Sequence, residues 1–161
     1  MKPRIDFARV SPKVLQAMYG LQNTVNGSGL EHNLLELVKM RASQINGCAY
    51  CLDMHSKDAR AAGETEQRLY LLDAWRETSL YSERERAALE WTEALTRIGD
   101  GHVPDAVYAG VREHFSEEDL VKLALAVVAI NGWNRLAIAF RAQAGSYRPG
   151  MSGRARTAQE A

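Results

Sequence analysis

No stretch of this sequence sustains an apolar–polar alternation of period two, which removes sheet architectures from consideration at once. Leu, Ala, Glu, Arg and Lys dominate, β-branched residues are sparse, and start and stop signals divide the chain into helix-sized pieces. Ser11-Pro12 puts a proline at a first helical position and predicts a helix toward Asn23, broken at Asn26-Gly27-Ser28-Gly29. Leu30, Leu34, Leu37, Val38 and Ile45 recur at helical spacing, so a second helix is expected from about Leu30 to Gln44. Asn46-Gly47 then turns the chain into a third helix that ends near Gly63. Thr65 caps a short helix holding Leu69, Leu72 and Trp75, and Ser82 with Glu85 forms a capping-box signature for a helix to about Ile98. Val103-Pro104 opens another from Asp105 toward Phe115, and Ser116 with Asp119 starts an apolar stretch through Ile130. Ile130-Asn131-Gly132-Trp133 echoes Ile45-Asn46-Gly47-Cys48, so a second Asn-Gly turn is expected before a last helix from Trp133 to about Ala144. The result is an all-α, single-domain helical bundle over residues 1–145. Residues 146–161 carry Pro149, Gly150, Ser152 and Gly153 and little apolar content, and are expected to form a tail that is mobile or draped on a neighbour.

A chain of 161 residues can bury a core without disulfide staples. Twenty basic and twenty acidic residues cancel, so nothing favours nucleic acid or an anionic membrane as the main partner. Met1-Lys2-Pro3-Arg4-Ile5-Asp6 has no apolar run after its charges and does not read as a secretory signal. The most apolar segment, Leu123 to Ile130, reads as far too short to span a membrane. The expected address is a reducing cytoplasm, where a closely spaced cysteine pair is more often catalytic or metal-binding than structural.

The only two cysteines form Cys48-Ala49-Tyr50-Cys51, with His55 one helical turn beyond. On a helix, at about 100° per residue, the three side chains fall within roughly 60° of one another. Two thiols and a base on one stripe can form a thiolate, attack an oxidised substrate and close a disulfide. A structural zinc site wants four ligands; Cys48, Cys51 and His55 supply three, and His32, His102 and His114 are remote in sequence. The c-type haem signature fails because Leu52 stands where its histidine should be. No metal or cofactor is therefore expected. The competing reading is a pair of inert buried thiols. Helix physics leaves open which thiol reacts first: Cys48 lies at a helix start, which lowers a thiol pKa, and Cys51 lies one turn from His55.

Glu36 lies twelve residues before Cys48, and its helical phase sets it opposite the Leu34, Val38 and Ile45 stripe. By periodicity it is a solvated side chain pairing loosely with Lys39. Leu35 and Met40 flank the same side, so the helix is apolar over much of its circumference.

Taken together, Glu36, Cys48, Cys51 and His55, set in Glu36-Leu37-Val38-Lys39 and Ile45-Asn46-Gly47-Cys48-Ala49-Tyr50-Cys51-Leu52-Asp53-Met54-His55, resemble the core motif of the alkylhydroperoxidase D and carboxymuconolactone decarboxylase superfamily. Ala61-Ala62-Gly63-Glu64 and Asn131-Gly132-Trp133-Asn134-Arg135 are also similar to its members, so the resemblance runs from about Leu30 to Ala144. It implies a helical subunit that assembles as a homo-oligomer, a trimer or hexamer. It implies a thiol-dependent peroxidase in which Cys51 attacks a small hydroperoxide, Cys48 resolves the sulfenic acid, and His55 and Glu36 relay protons. A dithiol or protein reductant would complete the cycle. The alkylhydroperoxidase D pattern has a second histidine inside the CxxC where this chain has Tyr50, a poor base near neutral pH. Two alternatives stand beside the peroxidase: a carboxymuconolactone decarboxylase-type lyase, against which the intact CxxC argues, and a redox sensor whose disulfide changes packing without turnover.

Overall fold

A computed structural model describes residues 2–150. Among these the secondary structure is entirely helical: α1 (Phe7–Val10), α2 (Pro12–Asn26), α3 (His32–Asn46), α4 (Ala49–Ala61), α5 (Glu66–Leu71), α6 (Glu83–Thr96), α7 (Asp105–Arg112) and α8 (Glu117–Phe140), with 3-10 turns at Leu72–Glu77 and Ile98–Asp100. Local chemistry sets most boundaries. Pro12 opens α2, and Gly47, at φ +67°, ends α3 in the left-handed conformation that a side chain resists. The Thr65 hydroxyl accepts from the Arg68 amide at 3.2 Å to start α5. At α6 the Ser82 hydroxyl accepts from the Glu85 amide while the Glu85 carboxylate accepts from the Ser82 amide, a complete capping box.

α3 is the axis of the bundle, lying against α4, α6 and α8. Ten consecutive residues, Leu34 to Ser43, are buried, so this helix has no solvent face in its middle. Val25, Leu34, Val38, Leu123 and Val127 join α2, α3 and α8 in one core cluster. Leu37, Met40, Leu72, Trp75 and Leu89 form a second toward α6. Between α3 and α6, Glu93 accepts from Arg41 Nε, Trp75 Nε1 and Arg76, each at 2.8 Å, and Arg41 also pairs with Asp73.

Two sequence-based expectations are corrected here. Asn131-Gly132 does not turn: α8 runs unbroken from Glu117 to Phe140, so the two helices expected at 116–130 and 133–144 are one. Asn131 satisfies its amide inside the helix, donating to the Val127 carbonyl at 2.9 Å and to the Thr96 hydroxyl at 3.1 Å. Gly132 serves close approach instead, since a Cβ there would lie 3.1 Å from Met18 Cε of α2. The length of α8 also overturns the reading that no segment approaches membrane-spanning size, because by length and composition alone it is long and apolar enough. It packs on α2, α3, α4, α6 and α7, which accounts for apolar residues on several of its sides.

The segment after α8 crosses back over α4. The Gly145 amide donates to Asp53 at 2.9 Å, Lys57 donates to the Tyr147 carbonyl at 3.0 Å, and the Tyr147 ring is buried. The rest of the expected tail, 151–161, lies outside the described residues.

Candidate active site

Gly47 delivers Cys48 to the N-cap of α4 in an extended conformation, and the helix then carries Cys51 and His55 at successive turns. The two Sγ atoms stand 2.8 Å apart as free thiols. A disulfide needs a separation of about 2.05 Å, so closure asks for a movement under about 1 Å. Both cysteines are only 1% exposed and pack with Ala42, Ile130 and Ala137; Tyr50, Trp133 and Ala142 lie against the same cluster.

The electrostatics of the reduced pair are asymmetric. A hydrogen bond from Cys51 pulls the Cys48 thiol down to about 7 against the opposing effect of burial, helped by the Cys51 and Tyr50 amides at the helix start and by Asn134. Cys51 is pushed up, first by its hydrogen bond to Cys48 and then by burial. The contact thus favours the thiolate on Cys48 over that on Cys51.

Glu36 is not solvated. It is 3% exposed on the fully packed middle of α3, and its two oxygens are both engaged, Oε2 with His55 Nδ1 at 2.8 Å and Oε1 with Lys39 Nζ at 2.8 Å. Burial works to raise the Glu36 pKa, but the His55 hydrogen bond and charge, followed by Lys39, outweigh it and hold the carboxyl at about 2. Periodicity missed this because α3 is buried all round and has no polar face to point outward. The structure thus pairs Glu36 with His55 and Cys48 with Cys51; no hydrogen bond joins the two pairs among the described residues. They are linked by position, since His55 lies one turn beyond Cys51 on α4. Tyr50 is raised above its ordinary value, chiefly by burial, and so remains a phenol rather than a base.

Further residues complete the site. Asn134 of α8 donates to the Ser43 hydroxyl at 3.0 Å, and Asn46 donates to Asn131 at 3.0 Å and to Asn134 at 2.9 Å. Asp58 brings a carboxylate oxygen within 4.8 Å of a His55 nitrogen and a Glu36 oxygen. Each of the two carboxylates already has a partner of its own. Lys39 already neutralises Glu36 and would repel a cation, while both Asp58 oxygens accept from the Tyr147 hydroxyl, at 2.8 and 2.9 Å. Asp58 was detectable in the sequence as the residue three beyond His55 on the same helical stripe. Tyr147 carries no such signal, because its place depends on how the chain returns after α8. Open surface hollows lined by Arg76, Glu83 and Arg86 include none of these residues.

A helical bundle with a cysteine pair at a helix start and a buried Glu–His pair is the arrangement the sequence motif pointed to, and residues 12–94 match the carboxymuconolactone decarboxylase family. The chain belongs to that family. It is 44% identical over 146 residues to the uncharacterized protein YdfG of Bacillus subtilis, covering 91% of this chain and 99% of the relative. It also superposes, with a TM-score of 0.88 and 46% identity, on a protein of unknown function from Agrobacterium tumefaciens named as a candidate antioxidant defence protein AhpD, covering 91% and 100% of the two chains. An alkylhydroperoxidase AhpD core structure from Ralstonia eutropha, an uncharacterized peroxidase-related protein, shares the fold at a TM-score of 0.76 and 20% identity, covering 86% and 74%.

Proposed function

We propose that this protein is a thiol-dependent peroxidase that reduces small hydroperoxides through Cys48 and Cys51. What carries the reading is two buried thiols 2.8 Å apart, one turn from a histidine held by a buried carboxylate. The antioxidant and peroxidase-related descriptions of the Agrobacterium and Ralstonia proteins agree with it.

Cys51 is the attacking sulfur, because His55 flanks it and can protonate the leaving group. The shared proton passes from Cys51 to Cys48 across their contact, and the Cys51 thiolate attacks the outer peroxide oxygen. The S–O bond forms as the O–O bond breaks, and the alkoxide leaves as an alcohol with a proton from the His55–Glu36 pair. As Cys48 attacks the sulfenic acid sulfur it gives its proton to the departing hydroxyl, so that the S–S bond forms as the S–O bond breaks and water leaves. An external dithiol or protein reductant restores both thiols by exchange. The chain works in a reducing compartment as a homo-oligomer, a trimer or hexamer, for which the exposed Val121 and Val128 on the outer side of α8 offer an apolar surface.

The deciding measurement is consumption of an organic hydroperoxide in the presence of a recycling dithiol. Many equivalents per subunit are expected. Consumption of about one equivalent would identify a redox sensor, and none would remove peroxide chemistry. In Cys48→Ser, a dimedone-type probe should label sulfenic acid on Cys51. Label on Cys48 in Cys51→Ser, with none in Cys48→Ser, would make Cys48 the attacker.

A further inference from the structure

The two sulfurs sit in an apolar cluster whose members differ in exposure. Ala42, Ile130 and Ala137 are buried with them, whereas Tyr50, Trp133 and Ala142 are only partly buried and form the side of the cluster that meets solvent. A sulfur that is 1% exposed meets a reactant only when this outer side moves.

Two of the three cover residues stand on helices. Tyr50 lies in the first turn of α4, and Trp133 lies inside α8, braced by the Tyr19 ring at 5.5 Å. Displacing either means displacing a helix that packs on α3. Ala142 is different. α8 ends at Arg141, a non-glycine residue at φ +59°, and the chain turns there into a segment without helix. The Ala142 amide closes the turn by donating to the Ala137 carbonyl at 2.9 Å. From there to Tyr147 the segment is held by side chains of α4. Asp53 accepts from the Gly145 amide at 2.9 Å, Lys57 donates to the Tyr147 carbonyl at 3.0 Å, and Asp58 accepts from the Tyr147 hydroxyl at 2.8 Å. Lys57 also pairs with Asp53 at 2.7 Å, so the anchors support one another. Contacts of this kind are individually modest, and a segment held by them opens while the helices beneath stay folded.

We propose that residues 142–147 are the gate of the thiol site, turning at Arg141 and latched to α4 by Asp53, Lys57 and Asp58, and that the strength of this latch sets how large a reactant reaches Cys48 and Cys51. A small molecule enters with Ala142 slightly displaced; a broad one needs the buried Tyr147 ring out of its seat. The gate governs access whatever chemistry the thiols perform, and so goes beyond the peroxidase reading.

The test is the rate at which the reduced full chain is alkylated by iodoacetamide and by the bulkier N-ethylmaleimide, read by intact mass. Wild type is compared with Tyr147→Phe, Lys57→Met and, as a control, Ser82→Ala, which breaks the capping box of α6 instead. Tyr147→Phe removes the bond to Asp58, and Lys57→Met removes the bond to the Tyr147 carbonyl. Each should speed maleimide alkylation about fivefold and iodoacetamide alkylation less than about twofold. The pH midpoint of the reaction should stay where it is in wild type, because the latch acts on entry and not on the thiols. Ser82→Ala should leave both rates unchanged. Maleimide rates in Tyr147→Phe and Lys57→Met that superimpose on wild type overturn the proposal. So does equal acceleration in Ser82→Ala, which would mean entry by general unfolding, and so does a shifted pH midpoint, which would place the effect on the sulfurs. If Lys57→Met does not fold by circular dichroism, an unchanged maleimide rate in Tyr147→Phe overturns it alone. Hydroperoxide turnover is measured alongside: no turnover with the accelerations present removes the peroxidase reading and leaves the gate, while turnover without acceleration does the reverse.

Discussion

Ile45-Asn46-Gly47 and Ile130-Asn131-Gly132 are the same tripeptide with opposite outcomes. The first ends a helix, with Gly47 left-handed at φ +67° and Cys48 leaving in extended conformation. The second passes through the middle of α8 without interruption. The dipeptide permits a turn but does not demand one; neighbours decide. Asn131 has Thr96 and Val127 to bond and Met18 pressing on Gly132, whereas Asn46 donates outward across the interface. The two copies in fact meet, because Asn46 bonds both Asn131 and Asn134. They differ in charge as well. The α3–α4 side holds a buried Glu–Lys–His group, whereas the buried polar residues of the α8 side are the neutral amides Asn131 and Asn134.

That difference sets the largest expected effect. Glu36→Gln leaves Lys39 buried without a counter-charge, so it should destabilise by about 3 kcal/mol or more near neutral pH, read from urea midpoints. The sign with pH follows from the depressed Glu36 pKa, about 2 against an ordinary 4.5. As pH falls the unfolded chain takes the proton first, so this stability is complete above about pH 4.5 and is lost progressively toward pH 2. The gap between wild type and Glu36→Gln should narrow over that range. A gap independent of pH would show that the two sides do not differ in charge as described.

Asn134→Ala should come next, at about 2 kcal/mol by thermal or urea unfolding, since it removes partners of both Ser43 and Asn46 in a buried site. It should also slow thiol alkylation, because Asn134 helps lower both cysteines. A loss below about 0.5 kcal/mol would mean that the Asn46 contact does not tie the copies together. Gly47→Ala should cost about 1–2 kcal/mol through its left-handed backbone, with nothing within 4 Å for the new Cβ to strike. Gly132→Ala should change stability by less than about 0.5 kcal/mol, the helix-propensity gain offsetting a shift of the flexible Met18 tip. Equal losses at the two glycines would erase the distinction between turn and helix interior.

The same comparison shows what the sequence could reveal. Helix type, the Gly47 stop, the Ser82 capping box and the start of α8 at Ser116 were legible because each is decided within a few residues. The fusion of two expected helices into α8 was not, because the partner that holds Asn131 is Thr96, thirty-five positions away. At the site, the CxxC and His55 were visible as a spacing on one helix. Glu36 was visible only through the family motif, since periodicity assigns a polar residue to water and α3 has no water to offer. Asp58 was within reach of the same spacing argument that found His55. Tyr147 lay beyond any local rule.

The near-complete burial of both sulfurs has a kinetic consequence. A reagent can meet Cys48 or Cys51 only when the surrounding shell opens, so the observed rate is an opening equilibrium multiplied by an intrinsic reactivity. Molecules the size of hydrogen peroxide need a small opening and bulky maleimides a large one. The site should therefore rank attackers by girth before it ranks them by chemistry, and a reductant with a slender reactive end should recycle the pair faster than a broad one of equal potential.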